Sequence, residues 1–269
     1  MSRTPDTSFV PELDARQRAM LAEMGVRVWA PKAPAAAQPA ATTVVTPPTT
    51  PARAAAPVSR QTPTPPAAPE PARQAGPASP VATLDWPELR AAVAGCEACG
   101  LCQGRTQTVF GTGDEQADWM VVGEAPGENE DLQGEPFVGA AGQLLDNMLK
   151  AVGRSRNGQG AEGAFITNVL KCRPPANRNP QADEVASCEP YLARQVALVK
   201  PKVIVAMGRF AVQALLKSSE PIGRLRGQVH HYEGVPVIVT YHPAYLLRTP
   251  TDKGKAWADL CLAMAQLPG

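Results

Sequence analysis

Four cysteines lie in two distant groups. Cys96 and Cys99 form a C-x-x-C pair, and Cys172 and Cys188 follow far downstream. Thiolates are soft ligands, and four brought together can hold an iron–sulfur cluster or a zinc ion. Either would tie the start of a domain to its middle and carry the neighbouring Arg173 and Arg178 with it. The chain opens Met-Ser-Arg-Thr-Pro-Asp, without the apolar core of a signal peptide. A cytoplasmic location is expected, and there thiols favour metal over disulfide.

Four loops carry the other candidates. Gly123-Glu124-Ala125-Pro126-Gly127-Glu128-Asn129-Glu130-Asp131 follows an apolar run, and its glycines let backbone N–H groups approach a ligand. It is acidic and lacks the Lys-Ser/Thr of a phosphate loop, so by itself it reads first as a structural Gly-Pro loop. Phe137, between Pro136 and Val138-Gly139, is either a stacking platform for a base or a core ring closing its loop. Asn168 ends the run Ile166-Thr167-Asn168. Its amide sets a donor beside an acceptor, which matches the O4 acceptor and N3–H donor of uracil; the alternative is a buried loop cap. His242 precedes Pro243, which restricts its backbone, and a donor there could stabilise a developing anion. In Leu246-Leu247-Arg248, apolar side chains beside a cation could wedge into a base stack.

These loops need a scaffold. Apolar runs at 119–123, 164–170, 203–207 and 235–240 alternate with helical patterns at 86–94, 142–152, 182–199, 210–217 and 255–267. The alternation predicts an α/β fold with a central parallel four-stranded sheet flanked by helices on both faces. Ligands of such sheets bind at the carboxyl ends of the strands, which is where Glu124, Asn168 and His242 fall. The domain is expected over 84–269. Residues 31–83 are almost wholly Ala, Pro, Thr, Val, Gln and Ser. They hold too few large apolar residues to offset the entropy of ordering, and read as a disordered linker. Residues 1–30 place Leu13, Met20, Leu21, Met24 and Val28 among charges. This is a short amphipathic segment that docks on a partner or on the domain, or else a weakly ordered tail. The formal net charge is +1, and residues 81–269 carry 18 Lys/Arg against 20 Asp/Glu. Any nucleic-acid contact must therefore be a local patch. No run reaches the length of a membrane span, so no membrane association is expected.

The motifs occur jointly: Cys96-x-x-Cys99, Gly104-Arg105-Thr106, Gly123-Glu124-Ala125-Pro126-Gly127, Pro136-Phe137-Val138-Gly139-x-x-Gly142, Thr167-Asn168-x-x-Lys171-Cys172-Arg173-Pro174-Pro175 and His242-Pro243-Ala244-Tyr245-Leu246-Leu247-Arg248. In this order they closely resemble the family 4 uracil-DNA glycosylases, repair enzymes with a [4Fe-4S] cluster. The resemblance runs across about residues 90–265 and leaves the N-terminal segment out. It implies Cys96, Cys99, Cys172 and Cys188 as cluster ligands, with Cys102 and Cys261 as bystanders and the cluster structural. Zinc competes as the metal, but zinc ribbons usually carry two close pairs and this chain has one such pair among the four. The resemblance also implies a uracil pocket of Glu124, Glu130, Phe137, Asn168 and His242. Phe137 would stack on the flipped base, Asn168 would read its edge, and His242 would donate to O2 as charge develops. Glu130 would lie near the C5 side, where a thymine methyl must be rejected. Arg173, Leu246, Leu247 and Arg248 would meet DNA, with Leu246 filling the gap left by the flipped nucleotide. Ala125 stands where better-known uracil glycosylases place a water-positioning Asp, so that task falls to backbone or to Glu124.

The expectation is a monomeric glycosylase that flips uracil out of DNA, hydrolyses its N-glycosidic bond and starts base excision repair. A second reading is a module that grips uracil-DNA without turnover. A relative of this fold traps such DNA covalently through a His in a basic inserted loop, and this chain lacks that loop. A third is a domain that assists a repair or replication protein through the N-terminal segment.

Overall fold

Apolar runs without alternation mark strands covered on both faces. In this computed structural model, which describes residues 15–23 and 80–267, three such runs are buried at every position: β2 (Trp119–Gly123), β3 (Ala164–Asn168) and β4 (Val203–Met207). In chain order the elements before and between them are α1 (Ala15–Glu23), α2 (Trp86–Ala94), β1 (Thr112–Gly113), α3 (Glu128–Gln133), α4 (Gly139–Ala151) and α5 (Ala182–Val199). After β4 come α6 (Arg209–Leu216), α7 (Ile222–Leu225), β5 (Val229–Tyr232), β6 (Val235–Thr240), α8 (Pro243–Arg248) and α9 (Lys253–Met264). The expected linker lies outside the described residues apart from its last positions, 80–83.

The strands form one sheet in the order β1-β3-β2-β4-β6-β5. The inner four are parallel, as predicted, and both edge strands are antiparallel. The sheet is thus mixed and six-stranded rather than four-stranded. The missed strands are edges. β1 has two residues, and β5 is mostly exposed and carries His230 and His231, so neither shows the apolar run of a buried strand. Their connections explain why they form. Tyr232 pairs with Val235 across Glu233-Gly234, and both of those residues have positive φ. That is the two-residue turn whose twist suits a hairpin.

Alternate strand residues feed two cores. Met120, Val122, Phe165, Ile204 and Ala206 point to one face, where α2, α5 and α6 contribute Leu89, Leu192, Val196 and Val212. Trp119, Val121, Ile166, Val203 and Val205 point to the other, against Leu145 and Met148 of α4 and Trp257 and Leu260 of α9. Helices on both faces are as expected. α1 joins the second core through buried Leu21. The N-terminal segment therefore docks on the domain itself, while its other expected residues, Leu13, Met24 and Val28, lie outside the described ones. Among the described residues, no helix is long and apolar enough to cross a membrane.

Candidate active site

Parallel pairing levels the strand ends. Gly123 pairs with Asn168, Val122 with Ala206 and Met207 with Thr240. Just past these pairs lies a cleft of about 700 Å³. Six of the expected residues line it: Glu124, Glu130, Phe137, Asn168, His242 and Arg248. Arg178, Arg209, Tyr241 and Tyr245 line it too. The last three were not singled out as site residues, because a lone Arg opening a helix or a Tyr beside a His carries no motif of its own.

Two glycines let the side chains converge. A Cβ on Gly123 would sit 2.3 Å from Asn168 Oδ1 and 2.5 Å from Phe137 Cζ, so amide and ring meet over bare backbone. Gly208, at φ +93°, lies under His242, and a side chain there would begin 3.2 Å from the His242 Cβ. The Phe137 and His242 rings stack with centroids 5.2 Å apart and planes 24° apart.

The cleft groups differ in charge for stated reasons. His242 caps α8: its Nδ1 accepts the Ala244 N–H at 3.2 Å. An accepting Nδ1 carries no proton, so the neutral ring holds its proton on Nε2, an assignment that follows from this hydrogen bond. Burial, and after it the Arg248 charge, lowers the His242 pKa to about 4. At neutral pH the ring is therefore an uncharged donor. Burial acts oppositely on Glu124, raising its pKa to about 7 against the pull of Arg209. Glu130 is not presented to the cleft in the same way. Its Oε2 accepts the Gly127 N–H at 3.0 Å and its Oε1 the Val138 N–H at 2.9 Å, so it braces two rim loops against each other.

Behind the cleft lie two residues that were not foreseen. Buried Asp131 accepts the Thr106 N–H on both oxygens, 3.0 Å each, and ties the loop after the first cysteines to α3. Lys171 is fully buried without a carboxylate partner. Its Nζ donates to Thr167 Oγ1 at 2.6 Å, to the Asn168 carbonyl at 2.7 Å and to Gln195 Oε1 at 2.7 Å. Burial drops its pKa to about 7, with Cys188 opposing. A signal was present: a Lys inside the apolar stretch Val169-Leu170-Lys171-Cys172 must find acceptors when buried.

Two DNA-facing expectations change. Leu246 is 0% exposed and packs in the core, whereas its neighbour Leu247 is 44% exposed. One turn of α8 explains this: Pro243 and Leu246 share the buried face, and Leu247 and Arg248 point outward. The wedge cannot be Leu246 in this conformation, and Leu247 holds the available position. Arg173 is tied down, with Nε donating to Asn177 Oδ1 at 2.9 Å and Nη2 lying 3.7 Å from Glu128 Oε2. It holds the cleft wall, while Arg178, Arg209 and Arg248 line the cavity.

The cysteines gather apart from the cleft, and none is in a disulfide. Cys172 lies in the field of Cys96 and Cys99, and Cys188 in that of Cys172 and Cys99. Burial raises both thiol pKa values, Cys188 to about 11. Arg105 is the local counter-charge: Nη1 donates to Cys172 Sγ at 3.2 Å and to the Cys96 carbonyl at 2.8 Å. Burial, and after it the neighbouring Cys96, raises the Tyr191 hydroxyl pKa. Cys102 lies near Arg105 but does not figure among the neighbours that shift Cys172 or Cys188. Among the described residues, no three His, Cys, Asp or Glu side chains are spaced to hold a single metal ion. Cys172 and Cys188 are thus buried near the Cys96–Cys99 pair, with Arg105 against Cys172, and thiolates are the ligands that suit a soft metal.

The sequence matches a known family. The model of the uracil DNA glycosylase superfamily matches residues 110–262, and the chain belongs to that superfamily. Within it, the chain is similar to the type-4 uracil-DNA glycosylases. It is 47% identical over 163 residues to the type-4 enzyme of Archaeoglobus fulgidus, covering 58% of this chain and 79% of that one. It is 40% identical over 189 residues to that of Pyrobaculum aerophilum, covering 66% and 93%. It is 41% identical over 160 residues to that of the bacterium Thermotoga maritima, covering 59% and 81%.

Because Gly123 has no spare space, Gly123→Ala should keep the fold but push the Asn168 amide and the Phe137 ring apart. The expected loss is about 1–3 kcal/mol of stability, read by thermal denaturation. A variant structure with both side chains unmoved would contradict this.

Proposed function

We propose that this chain excises uracil from DNA by hydrolysing its N-glycosidic bond, and that the cleft at the strand ends is where it does so. The observation that supports this most is the neutral His242, fixed as an Nε2 donor beside Phe137 and Asn168. A base inside a duplex is unreachable, so the uridine nucleotide is flipped into the cleft at a cost of a few kcal/mol. Phe137 gives it an aromatic face. Asn168 pairs with its O4 and N3–H, donating from its NH2 to O4 and accepting the N3–H on Oδ1. As the bond to C1′ breaks, the electron pair leaves with uracil and negative charge grows at O2, where the Nε2–H of His242 donates. A neutral donor suits this step, since its hydrogen bond strengthens as the charge develops. Water adds to C1′ and loses its proton. Glu124 is the group we assign to orient that water and take the proton, which it does as the carboxylate.

DNA outside the pocket meets Leu247, Arg248 and Arg209 at the cleft mouth, a local basic patch on a nearly neutral domain. Cys96, Cys99, Cys172 and Cys188 are the residues we assign to a [4Fe-4S] cluster. Its contribution would be structural: it would clamp the loop at 96–99 to the segment after Asn168. The chain is proposed to act as a monomer, and α1 as a part of the domain that leaves residues 1–14 for any repair partner.

The direct test is release of free uracil from a uracil-containing oligonucleotide. His242→Ala should lower kcat by about 10²–10³-fold through the lost donor. Asn168→Ala should cost about 1–3 kcal/mol in kcat/KM. Tight binding of the DNA without release by the folded wild type would favour the gripping module instead.

The pH dependence follows from Glu124. Its acting form is the carboxylate, so activity should rise as pH rises through about 7 and level off above. His242 titrates near 4 and stays neutral throughout that range. Glu124→Gln should be slower and should lack the inflection; a wild-type rate flat from pH 6 to 8, about one unit either side, would remove Glu124 from this role.

Purified protein should be brown, with broad absorbance near about 400 nm. Cys188→Ser should lose that colour and Cys102→Ser should keep it. A colourless protein carrying zinc would overturn the cluster assignment.

A further inference from the structure

Phe137 has φ +53°, the left-handed region that a bulky residue rarely adopts. Such a conformation persists only where its surroundings over-determine it, and it is then a candidate functional device. The surroundings here are specific. Arg156, in the loop between α4 and β3, donates from Nη1 to the Pro136 carbonyl at 3.3 Å and from Nη2 to the Phe137 carbonyl at 3.0 Å. Its Nε donates to Asp146 Oδ1 at 2.7 Å, which fixes the plane of the guanidinium. The Arg156 side chain is 14% exposed, so these contacts are largely shielded from water. On the following residue, the Val138 N–H is held by Glu130 at 2.9 Å. α4 is shaped to receive the turn: a Cβ on Gly142 would lie 1.8 Å from the Phe137 carbonyl oxygen. Gly142 and Asp146 are four residues apart on α4, hence on one face.

Arg156 does not line the cleft. It touches no residue to which a catalytic step is assigned except the Phe137 backbone. We infer that Arg156, oriented by Asp146, is a positioning residue that holds the strained Phe137 backbone and thereby aims the aromatic ring at the flipped base. This rests on the stacking role given to Phe137. A planar guanidinium with parallel donors can grip two successive carbonyls while a third donor is anchored, and a lysine cannot.

The experiment is a double-mutant cycle on the full chain. Single-turnover uracil release from a uracil-containing oligonucleotide and inhibition by free uracil are measured for Arg156→Gln, Phe137→Gly and the double variant. Glycine adopts φ +53° without strain, so Phe137→Gly removes both the ring and the need to hold it. Arg156→Gln should weaken inhibition by uracil and slow release, each by about 10-fold or more. In the Phe137→Gly background the same change should add less than about twofold, since the two residues act through one device. Asp146→Asn, on the exposed side, should move both readouts in the same direction by less, and it stands in if Arg156→Gln does not fold. Equal losses from Arg156→Gln in both backgrounds would mean general stabilisation and would overturn the proposal. Unchanged release and inhibition in Arg156→Gln, with both impaired in Phe137→Gly, would overturn the proposal alone. Unchanged behaviour of Phe137→Gly would remove the stacking role and the proposal with it.

Discussion

The site depends on one constraint: the inner parallel strands end at the same level, and the residue at the end of β2 has no side chain. Register brings Gly123 beside Asn168. The bare α-carbon leaves the space in which the Asn168 amide and the edge of Phe137 meet. With any larger residue at 123 the two would be forced apart, whatever the quality of the rest of the cleft. The neighbouring strand repeats the device, since Gly208 makes room for His242. A parallel sheet with both faces buried has little freedom to adjust such positions, because its strands are fixed by ladders and by two packed cores. That rigidity is what a pocket recognising one planar base requires.

Polar groups behind the sheet end extend the constraint to the cysteines. Lys171 is buried with its charge spread over three oxygen acceptors, two of them on Thr167 and Asn168 and the third on Gln195 of α5. Gln195 in turn donates to the Phe110 carbonyl at 2.8 Å. A buried ammonium is costly unless every proton finds a partner, so these groups move together or not at all. Lys171 adjoins Cys172, and Gln195 lies two turns along α5 from Cys188. The backbone of Asn168 and the segment that carries Cys172 therefore share one polar core. A group bound at the thiols, as proposed, would fix α5 and the Cys172 segment, and through Lys171 the carbonyl of Asn168.

Sequence showed the parts of this that depend on composition. Apolar runs of strand length placed β2, β4 and β6 at their observed bounds and β3 two residues too long. Glu124, Asn168 and His242 fell at strand ends as the topology requires. Edge strands left no such trace, because β5 is half-exposed and its only sharp signal was Glu233-Gly234, a dipeptide that also marks ordinary turns. Leu246 was misplaced because two adjacent leucines look alike in sequence, and only the direction of a one-turn helix decides which is buried. Glu130 lines the cleft as expected, but motifs do not reveal that each of its oxygens also accepts a backbone N–H. Arg156 escaped notice for a related reason: its partners are backbone carbonyls, which every sequence has.

The electrostatics of the cleft follow from the same economy. A protonated His242 would attract a uracil anion more strongly, but it would first have to be charged in a half-buried site beside Arg248. Burial and that arginine hold it neutral instead. In the role proposed for His242, a neutral donor would give little to an uncharged base and most to the departing anion, so its effect would be concentrated in the transition state. The remaining positive charge lies at the exposed rim of the cleft, where the proposal puts the DNA phosphates. Arg209 and Arg248 are exposed at the cleft, and the Arg178 charge is matched by Glu184. A domain with a slight excess of acid can thus bind a polyanion through a few local cations. Where ionisable groups are buried they have partners: Lys171 has an acceptor for each proton, Asp131 accepts the Thr106 N–H, and Asp259 pairs with Arg226.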